Sequence, residues 1–130
     1  MTPAAPVFVI DDEEAVRAAL GKLLRAIGVA SEMFSSAQDF LERYNGDRGG
    51  CLLVDIRMPG MSGLDLLEEL HRRDIHLPAI VMTGHTEETS LERLERLRPI
   101  GFLEKPFTLD QLKQKLARWH PTEETPSADR

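Results

Sequence analysis

Five side chains stand just past short apolar runs, and their types suit them to hold a phosphoryl group and a divalent metal together. Val7-Phe8-Val9-Ile10 runs into Asp11-Asp12, and Cys51-Leu52-Leu53-Val54 runs into Asp55. Ala79-Ile80-Val81-Met82 runs into Thr83, and Phe102-Leu103 is followed, after Glu104, by Lys105-Pro106. The runs have the length and β-branched content of strands buried on both faces. In an open parallel sheet the carboxyl ends of the strands share one edge, and ligands bind there. If the runs are neighbours in one sheet, three carboxylates, a hydroxyl and an ammonium meet at one spot.

Three carboxylates at one edge repel each other, so without a counter-ion at least one should have a raised pKa. A divalent cation relieves that repulsion. Magnesium is the natural choice, because it takes oxygen ligands and commonly binds one or two carboxylates plus a phosphate; manganese is an acceptable substitute. No Cys/His cluster offers a zinc site. With metal present, an Asp55 oxygen can attack phosphorus in line and give an acyl phosphate. Catalysis is then mainly positioning and charge stabilisation, with the metal, Lys105 and Thr83 each serving one oxygen of the transferring group. A carboxylate nucleophile needs no proton-transfer base. Taken singly, Asp11-Asp12 reads as a helix N-cap, Asp55 as the start of a turn, Thr83 as structural and Lys105 as surface. The joint pattern outweighs these readings, since every strand end is polar in the same chemical sense.

The stretches between the runs have helical spacing. Val16, Leu20, Leu24 and Ile27 give a first helix one apolar face, and Gly28 stops it. Val29 to Phe34 reads as a second strand. Ser35 with Gln38 reads as a capping box for a short helix carrying Phe40, Leu41 and Tyr44, and Asn45 to Gly50 as a loop. Ser62 or Gly63 opens a third helix with Leu64, Leu67 and Leu70 inward. Leu91, Leu94 and Leu97 define a fourth, ended by Pro99. Thr108 with Gln111 is a second capping box, and Leu109, Leu112, Leu116 and Trp119 stripe a fifth helix. Strand and helix alternate five times, which favours a doubly wound α/β fold, a parallel sheet with helices on both faces.

The 130 residues suit one domain, and 42% hydrophobic with 29% charged residues is ordinary for a globular chain. A net charge of -6 argues against general nucleic-acid binding. No apolar stretch approaches the roughly 20 residues of a membrane helix, and residues 1-6 lack the pattern of a secretory signal. The single cysteine, Cys51, excludes an internal disulfide and fits a reducing cytoplasm. It reads as a buried small hydrophobe. His120 to Arg130 contains two prolines and no apolar run, and is expected to be a disordered tail or the start of a linker.

Together the pieces resemble the receiver domain of two-component response regulators. The matching motifs are Val9-Ile10-Asp11-Asp12-Glu13, Leu53-Val54-Asp55-Ile56-Arg57-Met58-Pro59-Gly60-Met61-Ser62-Gly63, Val81-Met82-Thr83-Gly84-His85 and Phe102-Leu103-Glu104-Lys105-Pro106-Phe107. The resemblance covers residues 7-119. It implies a flavodoxin-like five-stranded (βα)5 three-layer sandwich with strand order 2-1-3-4-5. It implies that Asp55 accepts phosphate from a histidine kinase or phosphotransfer protein. Asp12, Asp55 and the Arg57 backbone carbonyl would ligate magnesium directly, and Asp11 through water. Lys105 would contact the phosphoryl group, and Lys105-Pro106 would be a cis peptide. Thr83 would be a switch hydroxyl and Phe102 an aromatic switch that turns inward, altering the surface of the fourth helix, fifth strand and fifth helix. No hydroxyl holds Phe102 outward, so packing must set its position. Arg57 and His85, two residues past Asp55 and Thr83, occupy positions that tune phosphate lifetime; His85 reads as an exposed loop residue. Leu97-Arg98-Pro99-Ile100-Gly101 departs from the family's small-residue turn, and proline stiffens it.

Such a domain would be a signalling switch rather than an enzyme with separate turnover, and dimerisation through its fourth-helix face on phosphorylation is open to it. Two alternatives share parts of the pattern. An aspartate-nucleophile, magnesium-dependent phosphatase of the haloacid-dehalogenase kind would need Asp-x-Asp after the first strand, where this chain has Asp11-Asp12-Glu13. A flavodoxin-like binding module would need a phosphate-cradling loop there, and the acidic run would repel a nucleotide phosphate. The sequence fits a stand-alone receiver and a piece of a longer regulator equally well.

Overall fold

The computed structural model describes residues 5-84 and 91-119. Strands and helices alternate throughout: β1 (Val7–Ile10), α1 (Glu14–Ala26), β2 (Ser31–Phe34), α2 (Ala37–Arg43), β3 (Cys51–Asp55), α3 (Gly63–Arg72), β4 (Ala79–Thr83), α4 (Leu91–Leu97), β5 (Gly101–Glu104) and α5 (Leu109–Leu116). The strands form one parallel sheet in the order β2-β1-β3-β4-β5, as expected. Their apolar runs follow from this layering, because the three central strands are covered on both faces.

Side chains alternate across the pleat and feed two cores. Phe8, Ile10, Leu52, Val54 and Val81 face α2, α3 and α4, together with Phe34, Phe40, Leu66 and Leu70. Val7, Val9, Leu53, Ile80 and Met82 face α1 and α5, together with Leu20, Leu24, Leu112 and Leu116. Cys51 lies in the second core, fully buried, and burial pushes its thiol pKa up to about 12. It is the inert packing group expected of it.

Three boundaries differ from expectation. The second strand begins at Ser31 rather than Val29, because α1 ends in a Schellman motif. Gly28 has φ of +79° and donates to the Arg25 carbonyl, and Val29 donates back to Leu24. That bond draws Val29 into the helix terminus. The second helix is capped by Ser36, not Ser35: its hydroxyl accepts from the Asp39 amide at 2.9 Å. Asp39, rather than Gln38, answers by accepting from the Ser35 amide. Neither Asp11 nor Asp12 caps α1, in keeping with their place in the joint pattern. Glu13 holds that position and makes no side-chain cap bond.

The third difference is at α5, which stops at Leu116: Trp119, expected on its stripe, lies three residues past the helix and packs at the margin of the second core. The starts of α3 and α5 agree. Ser62 with Asp65, and Thr108 with Gln111, form reciprocal capping boxes at α3 and α5. The third helix ends with Asp74 in the left-handed region at φ of 61°, in the position glycine takes after α1. The turn that departs from the family pattern has its own strain: Arg98, at φ of 52°, sits in the same region directly before Pro99. The readings of residues 1-4, His85 and 120-130 lie outside the described residues.

Candidate functional site

Register sets the site. Ile10 pairs with Val54, and Asp55 pairs with Met82, so Asp11, Asp55 and Thr83 all fall at the carboxyl edge of the three central strands. Thr83 pairs with Glu104, and its carbonyl accepts from the Lys105 amide at 2.8 Å. Neighbouring strands alone therefore deliver the ammonium to the carboxylates. The Lys105 Nζ donates to Asp55 Oδ2 at 3.0 Å and to Asp11 Oδ2 at 3.2 Å. Lys105–Pro106 is a cis peptide, as the resemblance implied.

The pocket is buried on one side and open on the other. Asp11 is fully buried and Asp55 nearly so, while Asp12 is exposed. One carboxylate oxygen from each of the three lies within 4.8 Å of the others. Burial raises the Asp55 pKa above the ordinary carboxylate range; the Lys105 bond opposes this and the Asp11 charge adds to it. Burial pulls Lys105 down, but its bonds to Asp55 and Asp11 outweigh that and leave its pKa raised. Asp55 is raised as expected of one of the acids, but chiefly by burial, with repulsion from Asp11 a smaller contribution. Three hard oxygen donors with no nitrogen or sulfur among them suit magnesium.

The backbone around the acids is also held. The Glu13 amide donates to Asp11 Oδ1 at 2.9 Å, and the Arg57 amide donates to Asp55 Oδ1 at 3.2 Å. Arg57 is exposed, and Phe102 points outward with 37% of its surface exposed. Two further residues belong to this edge and were missed from sequence. Gly63 packs so closely under β3 that a Cβ there would lie 2.3 Å from the Asp55 carbonyl oxygen. Arg17 donates to the Asp11 carbonyl at 2.8 Å. Gly63 had a visible signal, a glycine at a helix start where a better helix former would serve. Arg17 had only its place, one residue past an inward-facing Val16.

An open parallel sheet with a lysine-bridged acidic pocket at its carboxyl edge is of the class of α/β domains that bind ligands at that edge. The comparisons narrow it. The sequence matches the family described as response regulator receiver domain over residues 7–117. It is 45% identical over 107 residues to the transcriptional regulatory protein FixJ of Azorhizobium caulinodans, covering 82% of this chain and 51% of that protein. It is 38% identical over 109 residues to the response regulator protein TodT of Pseudomonas putida, covering 84% of this chain and 48% of TodT. Among solved structures, the crystal structure of FixJ-N superposes with a TM-score of 0.81 at 36% identity, covering 90% of this chain and 94% of that one. The response regulator StyR gives 0.83 at 37% identity, covering 89% and 59%.

The chain belongs to the receiver domain family of response regulators. It spans about half the length of the curated relatives it matches. Neither the phosphatase nor the flavin-binding alternative gains support from these matches. Among the described residues, no helix is long and apolar enough to cross a membrane.

Proposed function

We propose that this receiver domain takes a phosphoryl group on Asp55 from the phosphohistidine of a histidine kinase or phosphotransfer protein. The observation that carries the reading is the Lys105 ammonium joined to Asp55 and Asp11 beside a third carboxylate, Asp12. Asp12, Asp55 and the Arg57 carbonyl would hold magnesium or manganese directly, and Asp11 would do so through water. Bound there, the cation would offset the carboxylate charge and draw charge from the transferring oxygens. An Asp55 oxygen forms the new bond to phosphorus as the bond to the donor's imidazole nitrogen breaks. Lys105 and the Thr83 hydroxyl each steady one phosphoryl oxygen.

A phosphoryl group adds charge and acceptors at the sheet edge. The Thr83 loop gains a hydrogen bond by moving inward, and the Phe102 ring fills the space released. A pre-existing packing of α4, β5 and α5 is thereby favoured. The folded receiver would comprise residues 7-119, with residues 1-6 a leader and 120-130 a tail or linker. It would act in the cytoplasm, turning over no separate substrate and contacting no nucleic acid directly. Dimerisation through the fourth-helix face would follow phosphorylation.

Acetyl phosphate with magnesium, followed by intact mass, tests the reading. One added phosphoryl group is expected, labile to hydroxylamine and absent in Asp55→Asn or with chelator. Equal labelling of the Asp55→Asn variant would overturn it.

A further inference from the structure

We propose that Arg17 is a positioning residue for the cation site, fixing the peptide that carries the Asp11 and Asp12 carboxylates. The inference rests on the reading of the acidic pocket given above. The pairing of β1 with β2 ends at Ile10 opposite Phe34, although the Asp11 amide still donates to the Phe34 carbonyl at 3.2 Å. In a parallel pair, the amide and carbonyl of one residue point to the same neighbouring strand. The Asp11 carbonyl would therefore need a donor near Ser36, where the chain has already left the ladder to cap α2. The Arg17 guanidinium takes that place, with Nη1 2.8 Å from the oxygen.

The bond closes a small loop. Arg17 sits on α1, and its own amide donates to the Glu13 carbonyl at 3.1 Å. The Glu13 amide in turn donates to Asp11 Oδ1 at 2.9 Å. Asp11 is thus gripped at its carbonyl and its carboxylate by α1, whose N-terminus has no side-chain cap of its own. A buried carbonyl beyond the end of its ladder must find a donor, and a charged donor makes the stronger bond. The peptide so held joins Asp11 to Asp12, and its orientation sets where the Asp12 carboxylate can reach.

Two roles for Arg17 predict opposite signs. A guanidinium near a cation site repels the cation, so if Arg17 acted only as a charge, its removal would tighten magnesium binding. If it positions the peptide, removal loosens binding. Partners that orient metal ligands commonly carry about tenfold or more in metal affinity.

Calorimetric titration of Arg17→Met with magnesium, beside the unsubstituted chain, is the test. About tenfold weaker binding is expected. The rise in melting temperature that magnesium confers over chelator should shrink, which a purely structural loss would leave alone. The magnesium concentration giving half-maximal labelling by acetyl phosphate should rise by a similar factor. Unchanged or tighter binding overturns the proposal. If Arg17→Met does not fold, Arg17→Gln carries the same test with the same signs. Failure of the unsubstituted chain to bind magnesium or accept phosphate would instead sink the reading of the pocket.

Discussion

The helices that follow the two middle site strands are held in different ways. The third helix comes after Asp55 and buries Gly63, Leu64, Leu66, Leu67 and Leu70. Its first turn is capped reciprocally and its Gly63 amide donates to the Ile56 carbonyl at 3.0 Å. The fourth comes after Thr83, and none of its described side chains is buried: Leu94 and Leu97 are only half covered. Beyond that partial packing, what ties it to its neighbour is charge. Arg93 donates to Asp65 at 2.7 Å and to Glu68 at 3.0 Å, and Arg96 also reaches Glu68. One helix is locked by packing to the strand that bears Asp55. The other is moored by ion pairs that water and salt can replace at small cost. A domain that must keep its chemistry fixed while a surface changes needs both kinds of attachment.

The largest effect should come from the packed side. Leu66 is fully buried, so Leu66→Ala should cost about 3 kcal/mol through lost transfer energy and the cavity left behind. Leu94→Ala on α4 should cost about 1 kcal/mol or less, because the side chain is half exposed and its site can collapse. Urea unfolding of the two variants measures the gap. Equal losses would mean that α4 is as tightly packed as α3, and the contrast would fail.

A middle-sized effect lies at the end of α4. Arg98 holds a left-handed backbone at φ of 52° that an L side chain resists, directly before a proline. Arg98→Gly should relieve that and stabilise the chain by about 1 kcal/mol, less whatever freedom glycine adds to the unfolded state. A loss of stability would show that the arginine side chain contributes more than its backbone costs. The stem would then belong with the packing of α4, and the comparison would sharpen in favour of a better-anchored helix than burial suggests.

Much of this was legible beforehand, because the legible parts depend on local chemistry. The apolar runs of β1, β3 and β4 are uninterrupted, so the strand positions followed, and the N-cap at Thr108 carries its own partner three residues on. The acids were readable as a group, since each ends a strand and a parallel sheet has one carboxyl edge. What escaped depends on where distant backbone lies. Arg17 matters because β1 and β2 stop pairing at Ile10 and Phe34, which leaves the Asp11 carbonyl past the end of the ladder. Gly63 matters because α3 comes close under the Asp55 carbonyl. The Arg93 and Arg96 pairs join helices that sequence spacing alone cannot set side by side. The misplaced cap at Ser35 has a simpler cause: two adjacent serines offer the same chemistry, and Asp39 sets which one is used.

The smallest effect is the most diagnostic. Asp65 has its pKa lowered first by the Ser62 amide and then by Arg93, while Glu68 is lowered first by Arg93. A carboxylate with a depressed pKa in the folded state stabilises fully above its unfolded value, near 4 by general estimate, and loses that contribution as pH falls through the folded value. Arg93→Ala should therefore cost under about 1 kcal/mol at neutral pH and low salt, as half-exposed pairs do. The difference from the unsubstituted chain should narrow in about 1 M salt, where charges are screened within a few ångströms. It should also narrow as pH falls below the unfolded carboxylate value. Asp65 keeps its bond from Ser62 in the variant, so its share of the acid sensitivity survives; the Glu68 share shrinks but does not vanish, because Arg96 still reaches it. Denaturant unfolding across pH and salt would follow both. A stability gap that ignored salt and pH would place the work of Arg93 in the packing of its stem, and α4 would then be held, like α3, by contact rather than by charge.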